Sequence, residues 1–295
     1  MADKKKILLH KSSERIPKFL GLHIEEIEEK SNRERLKKDI HRDDNYTFYI
    51  QEKGELEIMV DFRTYCIRNT SIAFICPGQV HHYLKYSGIK GYFLFINTEL
   101  VSDYYRKILE DNQHLKQATL LDPESLCVSA VHLLTKQIRN YKYDIERTVI
   151  HSMANSLIGM ITAEFLKSEK FYVLQSSRKS EIAFNFRKLV RDNFLKLKKP
   201  RDYASLLYIS VPYLNEVMKE ETGYSVNSWI HQEILLEAKR LLAFTMLSSK
   251  EIAYELGYED HTYFSRLFKR YVGLSPLEFR KVNLNLSNNN SFHGF

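Results

Sequence analysis

Cysteine is scarce and poorly placed for chemistry. Among 295 residues only Cys66, Cys76 and Cys127 occur, an odd number with no C-x-x-C spacing. That pattern argues against both a disulfide framework and a zinc site, and points to buried thiols in a reducing compartment. Long apolar runs are missing as well. The opening MADKKKILLH has only Ile7, Leu8 and Leu9 after its lysines, too few for a signal-peptide core, and no later stretch reads as apolar enough to span a bilayer. A Ser/His/Asp or Cys/His constellation and a phosphate-binding glycine loop are also lacking, so no residue is assigned a catalytic role. These absences leave a cytoplasmic, non-enzymatic protein without membrane contact and without a cofactor.

What is present is length and positive charge. The chain is long enough for two domains, each able to bury its own core. A net charge of +7 and a pI near 9.0 are compatible with a polyanionic partner.

The stretch from Ser248 to Arg280 gives that charge a location. Ile252, Ala253 and Leu256 share one helical face, Gly257 permits the left-handed backbone that ends a short helix, and Asp260 can cap the next. In that second helix the spacing turns Phe264, Leu267, Phe268 and Tyr271 inward, leaving His261, Thr262, Ser265, Arg266 and Lys269 outward. A polar and basic outer face on a helix-turn-helix suits a DNA groove. The blocks IAYELGY, YFSRLFKR and GLSPLEFR, in that order and spacing, resemble the second DNA-binding unit of the AraC/XylS family of bacterial transcription regulators.

The chain also repeats itself. Lys219, Gly223, Ser225 and Trp229 recur fifty residues later as Lys269, Gly273, Ser275 and Phe279, and Tyr213-Leu214 recurs as Tyr263-Phe264. In the first copy Asp202 to Leu207 reads as a leading helix and Ser210 as a cap, with Pro212 in the first turn of the next helix. Pro212, Tyr213, Asn215, Glu216 and Lys219 are then left for the groove. Tyr208 stands where Gly257 stands in the second copy, and Glu216 where Arg266 stands. Lys219 and Lys269 are expected to meet phosphates, His261 and Thr262 to read bases, and Arg266, at a contact position by the resemblance, to meet guanine or a phosphate. Between the copies Val226 to about Thr245 reads as one helix, roughly 30 Å long.

Upstream, Ile40 to Phe95 has the texture of short strands. TFYI, EKGE and LEIMVDF read as strand, glycine turn and strand, followed by TYCI, SIAFI, a turn at Pro77-Gly78 and GYFLFI. HRDDNYTFYIQEKGELE and IAFICPGQVHH resemble the cupin-like sensor domain found in many members of the same family. That resemblance implies a β-barrel and dimerisation, and a small-molecule effector is expected near His41, Tyr46, Phe48 and His81. The metal-binding cupin pattern His-x-His reads His41 and Asp43 here, without the later glutamate, so no metal ligand is assigned. Ser125–Tyr141 and Ile145–Lys167 then read as amphipathic helices, the second with a stripe of Val149, Met153, Leu157, Ile161 and Phe165 that fits either packing on the barrel or a dimer seam.

The expectation is therefore an α+β chain. A cupin-like sensor and dimerisation domain covers 1–170 and a linker 171–180. An all-α domain, 181–295, carries two tandem helix-turn-helix units joined by a long helix. Its partners are double-stranded DNA, a second copy of the chain, a small-molecule effector and RNA polymerase. Two competing readings remain: a cupin-type metal enzyme with an appended helical domain, and a helical protein-binding module.

Overall fold

The computed structural model describes residues 7–28, 40–112, 116–122, 124–167 and 177–289, with side chains as far as 283. They divide into two compact units, one within Leu8–Leu174 and the other within Gln175–Phe295.

The first unit is built on an eight-stranded sheet. Its elements in chain order are β1 (Leu8–His10), α1 (Ser12–Arg15), β2 (Leu22–Glu28), β3 (His41–Asp43), β4 (Tyr46–Val60), β5 (Arg63–Arg68), β6 (Ser71–Ile75) and β7 (Val80–Ile96). After a 3-10 turn at Thr98–Leu100 come α2 (Asp103–Asn112), β8 (Ala118–Leu120), α3 (Cys127–Arg139) and α4 (Asp144–Leu166). The strands lie in the order β1-β3-β7-β4-β6-β8, with β2 also on β7 and β5 on β4. Among the described residues only the β1–β3 pair is parallel.

Alternation along the strands separates two cores. Tyr46, Phe48 and Ile50 of β4 face the helices and pack with Val131, Leu134, Leu157, Ile161 and Phe165. Tyr49 faces the other way, with Leu56, Ile58, Val60, Tyr83 and Phe93. A strict period of two would put Leu56 with Ile50. Register shifts around Lys53 insert the change of face.

Those shifts correct the expected turn at EKGE. β4 runs through Gly54 without reversing, and the glycine serves a bulge. Its φ is +92°, and a Cβ there would lie 2.5 Å from the Gly88 carbonyl group on β7. The reversal comes later, at Asp61 and Phe62, both with positive φ. No glycine marks it. The Asp61 carboxylate fixes the turn by accepting from the Val80 N–H (3.1 Å) and from the Gln79 side-chain amide (3.1 Å).

Two further expectations are corrected here. Cys66 is exposed, and only Cys76 and Cys127 are buried. By length and composition α4 is apolar enough to cross a membrane, contrary to the reading of no such stretch. Its Ile150, Ala154, Leu157, Ile158, Ile161 and Phe165 are buried in the first unit's core, as in a central helix of a folded domain. Val149, at one end of the apolar stripe that fits either packing or a dimer seam, is 45% exposed.

The second unit is helical: α5 (Arg178–Asn193), α6 (Pro200–Leu206), α7 (Val211–Thr222), α8 (Val226–Phe244), α9 (Ser249–Glu255), α10 (His261–Val272) and α11 (Pro276–Asn289). Of the expected linker, 171–176 lie outside the described residues. Ser177 caps α5 by accepting from the Ser180 N–H, so 178–180 are already helix. A single core joins α5 to α10, with Phe186, Tyr203, Leu214, Ile230, Ile234, Ile252 and Phe264 among its buried members.

Gly54→Ala should be costlier than Gly88→Ala. Gly88 has positive φ but open space around its Cβ position, so the loss there should be about 1 kcal/mol. Gly54 adds a collision with β7 backbone, worth about 1–3 kcal/mol more. Urea unfolding of the two variants checks the order, and equal losses would contradict it.

Candidate nucleic-acid interface

Two helix pairs, α6–α7 and α9–α10, share one local design. Each leading helix ends on a left-handed residue, Tyr208 (φ +55°) or Gly257 (φ +77°). Behind it the Ile209 N–H donates to the Ala204 carbonyl, and the Tyr258 N–H to the Ala253 carbonyl. The following helix is capped by a side chain: Ser210 accepts from the Tyr213 N–H, and Asp260 from the Thr262 N–H. Each second helix then stops at a left-handed glycine, Gly223 or Gly273.

The pairs differ by one residue. Ile209 alone separates the left-handed residue from the cap in the first turn, whereas Tyr258 and Glu259 do so in the second. Gly257 is also required sterically, because a Cβ would sit 2.4 Å from the Leu195 carbonyl oxygen. Tyr208 meets no such wall and is 95% exposed. A tyrosine is therefore tolerated at the cost of left-handed strain alone.

The outer faces carry most of the expected residues. On α10, His261, Thr262, Arg266 and Lys269 are exposed and Ser265 is half-buried, above buried Phe264, Leu267 and Phe268. Tyr271, expected inward, is 47% exposed, and its hydroxyl lies 3.0 Å from His231 Nδ1 on α8. Arg270, which spacing did not single out, is exposed beside it. Hydrogen bonds from the Tyr263 and Thr262 N–H groups hold the Asp260 carboxyl below its ordinary value. The cap is thus ionised through the neutral range and weakens only as acid protonates it.

On α7, Pro212, Glu216 and Lys219 are exposed, and Leu214, Val217 and Met218 are buried beneath. Tyr213 is half-buried and packs on the unit's core. Asn215 departs from expectation: its amide donates to the Val211 carbonyl (3.3 Å) and its oxygen accepts from the Val226 N–H (3.2 Å). It supports the start of α8 rather than presenting a free amide. Glu216 is also engaged, by Lys179 of α5 at 3.2 Å; Lys179 bonds Glu220 as well. Glu220 first, then Glu216, raises the lysine's pKa, so it stays charged.

The residues expected to meet an effector do not form one pocket. Tyr46 and Phe48 are fully buried on the helix-facing side, where the Tyr46 hydroxyl donates to Glu110. The enclosed space lies on the opposite face, lined by Thr47, Tyr49, Tyr65, Phe93 and Gln117. Alternation explains the miss, since the neighbours of Tyr46 and Phe48 look inward. His41 and His81 do come together, with ring centroids 4.3 Å apart, beside His10 and Asp43. Burial lowers the pKa values of His10, His81 and His82.

Comparison with known proteins follows the same division. A helix-turn-helix domain family matches residues 203–282, and the AraC-like ligand binding domain family matches 24–143. The HTH-type transcriptional regulator YfiF of Bacillus subtilis is 25% identical over 252 residues, 82% of this chain and 79% of that one. The arabinose operon regulatory protein of Escherichia coli is 36% identical over 77 residues, 26% of each chain. Among solved structures, the C-terminal domain of the response regulator AraT from Geobacillus stearothermophilus matches with 32% identity and a TM-score of 0.34, covering 36% of this chain and 88% of that one. None of these relatives supports the metal-enzyme alternative.

Replacing Asn215 by alanine should lower stability by about 1–2 kcal/mol, because the Val226 N–H loses its acceptor. Chemical denaturation measures this. A loss within about 0.5 kcal/mol, the range of an ordinary surface site, would return Asn215 to the groove-facing set.

Proposed function

The chain belongs to the AraC family of DNA-binding transcription regulators, and from that premise we propose that it holds operator DNA with two tandem helix-turn-helix units. The observation that carries the reading is the matched construction of α6–α7 and α9–α10, each with a capped second helix and an exposed polar face. Helix α8 spans 19 residues, roughly 28 Å, close to the roughly 34 Å of one DNA turn. A connector of that length suits two helices entering successive major grooves.

The two faces differ in charge. α10 carries Arg266, Lys269 and Arg270 with no acid, whereas α7 carries Lys219 with Glu216, Glu220 and Glu221. We assign phosphate anchoring mainly to α10, and base selection to His261, Thr262 and Arg266. On α7, Pro212, Tyr213 and Lys219 are the remaining contacts, with Glu216 tempered by Lys179. The first unit, within 1–170, is assigned to sensing and dimerisation. Its sheet is read as a cupin-like barrel that responds to a small-molecule effector. A regulator of this kind works in the cytoplasm and communicates with RNA polymerase.

The dimer surface we favour lies between α3 and α4. Leu133 (60% exposed), Val149 and Met160 (38%) line an open groove there with Ala130, Ser152 and Ser156. A second copy of the same helices would cover these apolar side chains.

Two experiments test these assignments. In a random-sequence selection the full chain should enrich a defined site. Arg266→Ala should cost about 1–3 kcal/mol at one position of that site, and Lys269→Ala should weaken all sequences alike while reducing the salt slope by about 1; no enriched site would end the regulator reading at these residues. Separately, Leu133→Asp with Met160→Asp should weaken self-association at least about tenfold, about 1.4 kcal/mol, in sedimentation. An unchanged dimer would place the seam elsewhere.

A further inference from the structure

The geometry points to a divalent transition-metal site in the first unit, formed by His10, His41 and Asp43 and backed by His81. The DNA-binding reading makes no use of it. Three neighbouring strands bring these residues to one face: His10 pairs with Asp43 across β1–β3, and His41 pairs with His81 across β3–β7. One ligand atom from each of His10, His41 and Asp43 lies within 4.8 Å of the others.

Hydrogen bonding leaves one atom of His10 and one of Asp43 unexplained. His10 Nδ1 and Asp43 Oδ1 are 3.5 Å apart, and both are buried atoms without a hydrogen-bond partner among the described residues. On the other oxygen, Oδ2, the Thr47 hydroxyl donates from 3.4 Å and His81 Nε2 lies at 3.6 Å. A carbonyl can only accept, so the contact of His81 Nδ1 with the Gln79 carbonyl (3.1 Å) places a proton on Nδ1. In the neutral ring Nε2 is then a bare lone pair facing a carboxylate oxygen. Two lone pairs that face one another need a cation between or beside them.

The spacing suits a metal. Two ligands each about 2.1 Å from a tetrahedral ion are about 3.4 Å apart, close to the separation of His10 and Asp43. A backbone carbonyl on Nδ1 is also the usual way to orient an imidazole whose Nε2 meets a metal. Two or three imidazoles and one carboxylate select Zn2+, Co2+ or Fe2+ over Mg2+ and Ca2+, which prefer oxygen. The His10 side chain is 29% exposed, so the site has a solvent edge through which an ion enters. The His-x-His position holds His41 and Asp43 but could not reveal the whole set, because His10 and His81 lie on other strands.

The test uses the full chain, free of any affinity tag, stripped with EDTA and dialysed. Titration with Co2+ should give one equivalent per chain with visible d–d bands, displaced by Zn2+, and Zn2+ should raise the Tm. His10→Ala, at the exposed edge and tolerable to the fold, should weaken binding at least tenfold and abolish the Tm shift. Asp43→Asn should do the same, and His132→Ala, on α3, should leave both unchanged. Failure to bind a stoichiometric ion would overturn the site, in favour of a proton on His81 as the cation. Binding that is indifferent to His10→Ala and Asp43→Asn would overturn it equally.

Discussion

Everything in the helical unit depends on one apolar core shared by both helix pairs. Ile230, Ile234, Ala238 and Leu242 of α8 are buried in the same cluster as Leu214 and Met218 of α7 and Phe264 and Phe268 of α10. Each fully buried side chain of this size contributes about 1.5–3 kcal/mol, so neither pair can shift without uncovering surface that also holds the other. The Arg280 guanidinium adds a closing bond to the Leu242 carbonyl, tying α11 to the end of α8. Helices α7 and α10 are thereby mounted on one shared core. A tandem reader of DNA requires this, since independent mounting would raise the entropy lost when both engage.

The repeat was legible because it rests on residue types with narrow backbone roles. Ser225, Gly223 and Gly273 stand where a cap or a left-handed stop is needed, and such positions accept few substitutes. Helical spacing likewise placed Phe264, Leu267 and Phe268 inward and Arg266 and Lys269 outward. What spacing could not show is competition for a side chain. Asn215 lies on the outer arc of α7, yet the start of α8 passes close enough to take its oxygen. Tyr271, one turn beyond Phe268, finds His231 at the rim instead of the core.

In the sheet unit the limit is of another kind. Leu56, Ile58 and Val60 alternate onto the face of Tyr49 and not that of Ile50, because a bulge near Gly54 changes the count that a period of two would keep. Glycine between two β runs reads as a turn, whereas here it admits the backbone of Gly88. The true reversal at Asp61-Phe62 is enforced by long-range bonds to Gln79 and Val80, which no local pattern contains. The same non-locality hid the association of His10 with Asp43, since strand pairing, not sequence distance, made them neighbours.

The charge difference between α7 and α10 has a structural cause that sequence alone misstates. Counting residues makes α7 an acidic helix, poorly suited to phosphates. Lys179, at the start of α5, sits against Glu216 and Glu220 and offsets part of that charge. Such exposed pairs contribute little to stability and are screened by salt, so the lysine matters here for the potential that α7 presents. The charge that the α6–α7 pair presents thus depends on a helix outside it. A comparison of the two helix pairs made on α7 and α10 alone understates their likeness, because the electrostatics of the α6–α7 pair include the beginning of α5.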